Sequence, residues 1–216
     1  LGRRQGAHNV GYEARREALA LALVPALLSE GGAASSLRAL ASAAGVSVPT
    51  LVHYFGDRAG AVRAGVAAMG SLGGRYLDQL ANEPHGAAEA SLRWALGEVV
   101  QAWRRFGVGR VIAAGFAAGL HDPGVGPAFI TELLEPLLQA CERRIATHMA
   151  AGELPAGDAR AASLALIGPV VLALLHQDAL SGASCRPLDV DAFTVGHLAA
   201  FLRGWRGVAP GSPAAG

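Results

Sequence analysis

The chain has 216 residues, 52% of them hydrophobic and 16% charged, with a net charge of +1 at pH 7. This length suits one large domain or two small ones, and the apolar share supplies ample material for a core. The balance excludes a uniformly polybasic protein, and the charged share lies well below the ~25% of an average soluble chain, which fits a surface partly covered by a partner.

Aromatic residues make up only 6%, so the apolar fraction is mostly Ala, Leu and Val, a mix that favours helices over strands. The first 68 residues carry seven arginines against four acids, Glu13, Glu17, Glu30 and Asp57; the remainder is slightly acidic. Only the front of the chain leans towards a polyanion. All 18 basic residues are Arg, a usage that fits a genome rich in G and C. Cys141 and Cys185 have no metal or redox spacing, and no signal-peptide pattern is visible, so a cytoplasmic location is expected. The apolar stretch Ala161–Leu175 is interrupted by Ser163, Gly168 and Pro169. It falls short of the ~18 residues of a membrane span and reads as a buried helix.

In chain order, residues 1–11 read as a flexible basic arm containing Arg3 and Arg4. Tyr12–Glu30 is helical by the recurrence of Leu19, Ala22, Leu23, Ala26 and Leu27, with Pro25 expected to kink or split it. A short helix runs from a Ser36 cap to Ala44, Gly45 makes a turn, and a second short helix runs from Ser47 to Tyr54. Asp57 caps a long fourth helix with one stripe of Val62, Val66, Met69, Gly73, Tyr76 and Leu80, ending at Pro84. Further helices carry Leu92 to Phe106, Arg110 to Leu120, Pro127 to Met149, Ala161 to Leu175 behind an Asp158 cap, and Phe193 to Trp205 behind Asp189 or Asp191. The tail from Val208 reads as disordered. No strand pattern competes.

The stretch Leu37–Phe55, LRALASAAGVSVPTLVHYF, meets the demands of a helix-turn-helix at fixed offsets. Leu40 is apolar and faces inward, and Ala41 is small where a second helix crosses. Gly45 sits where the turn needs positive φ, and Val46 and Leu51 pin the second helix to the first. The order Ser-Leu-Arg-x-Leu-Ala, Ala-Gly-Val-Ser, Thr-Leu, Tyr-Phe and Gly-Asp-Arg within residues 15–66 resembles the DNA-binding segment of the TetR family of regulators. The resemblance implies an all-α fold: an N-terminal three-helix helix-turn-helix domain at 12–68, joined by a long helix to a helical ligand-binding and dimerisation domain at 69–207.

It also implies roles. The helix from Ser47 would enter a major groove, exposing Ser47, Val48, Pro49, Thr50 and His53. Ser36 and Arg38 would meet phosphate at the preceding helix, and Tyr54 and Arg58 would reach the same backbone. Arg3 and Arg4 would enter a minor groove. Two positions depart from the family pattern: Val52 stands where a tyrosine is frequent, and Arg58 where lysine is usual.

The expected partners are a palindromic double-stranded DNA operator, a second copy of the chain, and a small hydrophobic ligand, with no membrane and no cofactor. Helices Ala161–Leu180 and Asp191–Arg206 would build a four-helix dimer interface. Trp103, Phe106, Ile112, Phe116, Leu120, Leu134, Leu137 and His176 would line the ligand pocket. His121, His148, His176 and His197 share no metal-ligand spacing. No nucleophile motif, phosphate loop or paired carboxylates favour an enzyme. The competing reading is a helical protein–protein interaction module without specific DNA binding, which leaves Thr50 and the arginines unexplained. Repression is the expected outcome, with the ligand releasing the operator.

Overall fold

A computed structural model describes residues 5–29, 35–83, 86–105, 107–121 and 123–207. Arg3, Arg4, Phe106 and the tail expected at 208–216 lie outside them. The described residues contain helices and no strand, so the all-α expectation holds. They fall into two compact units.

The first unit holds α1 (Gln5–Leu28), α2 (Leu37–Ala43), α3 (Val48–Phe55), α4 (Arg58–Leu72), α7 (Val108–His121) and α8 (Gly126–Phe129). A π-helical segment, Ile130–Leu134, follows α8. α1 begins at Gln5, so the expected arm is helical over most of its length. Pro25 does not split it: α1 continues to Leu28. A proline in the last turn removes one hydrogen bond close to where the helix would end anyway. The core of this unit gathers Leu19, Leu23 and Leu27 of α1, Leu40 of α2, Leu51 and Phe55 of α3, and Val62 and Val66 of α4. Gly70 of α4 passes so close to the Glu132 carbonyl that a Cβ would overlap its oxygen.

The second unit holds α5 (Gly74–Asn82), α6 (Ala88–Arg105), α9 (Glu135–Ala150), α10 (Ala159–Leu174), α11 (Gly182–Cys185) and α12 (Val190–Gly207). The division differs from the expected boundary at 68/69, because residues 110–134 pack with the N-terminal helices. The expected long fourth helix is two helices, α4 and α5, which meet at the poor helix formers Gly73 and Gly74.

The second unit is tied by buried polar groups. Arg144 of α9, 3% exposed, donates from Nε to the Leu80 carbonyl (2.6 Å) and from Nη1 to Ser91 Oγ (2.6 Å). Its Nη2 reaches the carbonyls of Glu83 (3.0 Å) and Gln79 (3.2 Å). The guanidinium therefore caps the carbonyl end of α5, where the helix dipole favours a cation. It also lies 4.7 Å from the centre of the Trp94 ring. Burial pulls its pKa below the usual arginine value. At the start of α6, Glu153 Oε2 accepts from the Ala88 amide (2.6 Å) and sits 3.1 Å from His148 Nδ1.

α10 continues into a π-helical segment, Leu175–Ala179, so the unbroken helix is longer than the apolar stretch suggested. At 21 residues and mean hydropathy 1.7, Ala159–Ala179 is long and apolar enough to cross a membrane. One side is buried in the second unit through Leu166, Ile167, Val170 and Leu174, and Ser163 Oγ donates to the Leu138 carbonyl (2.7 Å). The opposite side carries exposed Leu164 and Leu172.

Candidate nucleic-acid interface

Local chemistry sets the ends of each helix. Ser36 Oγ accepts from the Ala39 amide (3.2 Å) and starts α2. Gly45 adopts φ +65°, a conformation that favours glycine, and the Val46 amide bonds back to the Ala41 carbonyl (3.0 Å). Ser47 then caps α3: its Oγ accepts from the Thr50 amide (3.3 Å) and lies 2.8 Å from Thr50 Oγ1. Pro49 occupies the first turn of α3, where its missing N–H costs nothing. Gly56, at φ +81°, closes α3, and Asp57 Oδ1 accepts from the Gly60 amide (2.7 Å) to start α4.

Inward packing fixes which face of α3 is left for a partner. Leu40 and Leu51 are fully buried and Ala41 nearly so, which lets the two short helices cross closely. The stripe Val48, Leu51, Phe55 turns towards the core. Val48 is consequently half-buried, where the sequence had placed it among the exposed residues. Pro49, Val52 and His53 form the open face, with Ser47 exposed at its start. Thr50 and Tyr54 are half-buried. Ser36 and Arg38 of the preceding turn are exposed.

Three sets of contacts are not legible from motif spacing. The Tyr12 ring stacks on Tyr54 with centroids 4.9 Å apart, and His53 meets both rings edge-on at 5.9 Å and 5.2 Å. Tyr12 thus braces the end of α3 from α1; the available signal was an aromatic at the start of an otherwise aliphatic stripe. Arg58 donates from Nε to the Ser35 carbonyl (2.9 Å), which ties the start of α4 to the segment entering α2. Arg16 lies over the Phe55 ring at 5.7 Å.

The surface assembled here presents two hydroxyls at helix N-termini, guanidiniums at Arg38 and Arg58, and an imidazole and small apolar groups along α3. Hydroxyls and guanidiniums hold phosphate, and short side chains on a protruding helix reach base edges.

The residues expected to line a ligand pocket are spread over both units. Ile112, Phe116, Leu120 and Leu134 belong to the first, and Trp103, Leu137 and His176 to the second. Ile112 and Trp103 are buried, Phe116, Leu134 and Leu137 half-buried, and His176 exposed. Leu120 is 82% exposed. Among the described residues no cluster of His, Cys, Asp or Glu could hold a metal ion.

Residues 26–67 match the family model "Bacterial regulatory proteins, tetR family". No curated protein matches the sequence. Among solved structures, a putative TetR-family transcriptional regulator from Mesorhizobium loti is similar at 16% identity, with TM-score 0.71, covering 89% of this chain and 97% of that one. The TetR-family regulator SCO0332 is similar at 23% identity, TM-score 0.64, covering 91% and 99%. A putative TetR-family regulator from Rhodococcus sp. is similar at 20% identity, TM-score 0.63, covering 89% and 99%. Residues 26–67 are thus similar to the N-terminal segment of the tetR family of bacterial regulatory proteins, and the chain shares the all-helical fold of the solved TetR-family structures.

Proposed function

We propose that the chain is a homodimeric repressor that holds a palindromic operator through α2 and α3 and releases it on binding a small hydrophobic ligand. The observation that carries the DNA reading is the open face of α3. Pro49, Val52 and His53 stand clear of the core, and the Ser36, Ser47, Thr50 and Tyr54 hydroxyls with Arg38 and Arg58 surround them. In this reading the hydroxyls and arginines position the backbone, and Pro49, Thr50 and His53 contact bases.

The dimer reading is supported by the outward side of the second unit. On α10, Leu164 and Leu172 are exposed beside Ala161, Ala165 and Gly168. On α12, Ala192, Gly196, Ala199 and Ala200 recur at helical spacing, all exposed. Small residues permit close approach of a second helix pair, and leucines supply buried area. Ligand release needs only a few kcal/mol of preference for the form that does not bind DNA.

The test is a gel-shift titration against the DNA upstream of the chain's own gene and against a random-sequence selection, at two salt concentrations. A discrete complex that resists excess unrelated DNA and weakens steeply with salt supports the reading. Failure to enrich any sequence would refute it.

A further inference from the structure

A cleft runs along the second unit between α6 and α12, with a volume of about 460 Å³. Its floor is apolar: Leu96, Val100 and Leu198 are buried beneath it. Its rim is cationic, with Arg93, Arg104 and Arg105 on the α6 side and Asp191 the single acid among the described residues. Among the described residues, none expected to form a ligand pocket lines it. The volume falls within the range of small-molecule sites, roughly 300–1,000 Å³.

The partners of these arginines narrow the occupant. Arg93 Nη2 is held by Glu89 at 2.7 Å. Arg104 Nη1 is held by both oxygens of Asp191 at 3.2 and 3.3 Å, and its Nε lies 4.0 Å from Asp178. Arg105 has no ion-pair or hydrogen-bond partner among the described residues. One guanidinium is thus uncommitted, above an apolar floor, and its forked donors match a carboxylate.

Gly97 gives a second, independent indication. It lies in the interior of α6 and lines the cleft. A Cβ there would meet nothing within 4 Å. Glycine weakens a helix interior, and no neighbour requires it here. Its effect is to keep the cleft deep.

We infer that this cleft binds an amphipathic organic monoanion, its carboxylate on Arg105 and its hydrocarbon body over Leu96, Val100 and Leu198. The site stands apart from the α2–α3 surface in sequence and in its residues, and the inference does not depend on the operator reading.

The test is calorimetric titration of the full chain with octanoate, with 1-octanol and octylamine as neutral and cationic analogues of the same body. Saturable binding of octanoate is expected, at least tenfold tighter than octanol and with no binding of octylamine. Arg105→Gln is expected to weaken octanoate at least tenfold and leave octanol unchanged. Gly97→Phe directs a ring into the cleft from a position where a Cβ meets nothing within 4 Å, and is expected to abolish binding while melting close to the wild-type temperature. Arg105 also suits the carbonyl end of α6, so melting of Arg105→Gln is read alongside. Absence of saturable octanoate binding overturns the inference. Equal binding by wild type, Arg105→Gln and Gly97→Phe overturns it too, by placing the anion elsewhere.

Discussion

The α2–α3 pair and the α10–α12 pair are both two packed helices, but they leave different things exposed. In α2–α3 the buried residues Leu40, Ala41 and Leu51 serve the crossing, and the exposed remainder mixes hydroxyl, guanidinium and imidazole with small apolar groups such as Pro49 and Val52. In α10–α12 the two helices are joined by a hydrogen-bond contact, His197 Nε2 to the Leu166 carbonyl at 3.0 Å, and the exposed remainder is mostly leucine, valine, alanine and glycine, with Arg160, Asp191 and Arg203 near the helix ends. In the proposed reading the first pair meets a charged, hydrated partner and the second an apolar one. Chemistry at a helix surface is therefore a better guide to the partner than the helix pairing itself.

The comparison can be broken first at the groups that hold each unit together. Arg144→Met in the second unit strands three carbonyls and the Ser91 hydroxyl. Each buried acceptor left without its donor costs about 1–3 kcal/mol, so a loss of several kcal/mol is expected. Urea unfolding of Arg144→Met should show that loss, whereas Ser91→Ala alone should cost far less. A neutral Arg144→Met would mean that the α5 cap contributes nothing net.

The dimer half is sharpened by Leu172→Arg, which places a charge on the exposed side of α10. Light scattering of wild type should give twice the chain mass and of the variant a single chain mass. A monomeric wild type, or a dimeric variant, would contradict the role given to that side.

A smaller effect is expected at the α3 cap. Ser47→Ala removes the acceptor for the Thr50 amide and should cost about 1 kcal/mol, read as a lower melting temperature. The smallest belongs to the surface pair Glu135–Arg160. The hydrogen bond from Arg160 holds the Glu135 carboxyl below the usual carboxylate range. A depressed acid contributes stability above its unfolded pKa and loses it as pH falls through the folded one. The stability difference between wild type and Glu135→Gln should therefore be slight at pH 7 and vanish in acid. A difference that grows in acid would reverse the sign of the interaction.

The first pair was the more legible in sequence, for a physical reason. Ser36, Ala41, Gly45, Ser47 and Leu51 act over a few residues, and caps, turns and close crossings each admit few side chains. Asp158 could be read the same way, and its Oδ1 does accept from the amides of Arg160 and Ala161. What was hidden depends on residues distant in sequence. Tyr12 finds Tyr54, Arg144 finds the end of α5, and the cleft draws on α6 and α12; no periodicity within one helix encodes these. The turn of Val48 to the core lies between the two cases: its spacing to Leu51 and Phe55 encodes it, while the DNA role implied by the family resemblance points the other way. The break between α4 and α5 was similar, since the apolar stripe runs across Gly73 and Gly74 and conceals it.

The central claim is that α2 and α3 are the surface that holds DNA. Its most direct test is fluorescence anisotropy of the selected operator with wild type and with Arg38→Ala/His53→Ala, both side chains being exposed and outside the core. The account predicts at least a tenfold loss of affinity in the variant, with a single cooperative melting transition retained and only a small drop in its temperature from the lost His53 ring contacts. Equal affinity of the two proteins would contradict it and place the DNA-binding surface elsewhere.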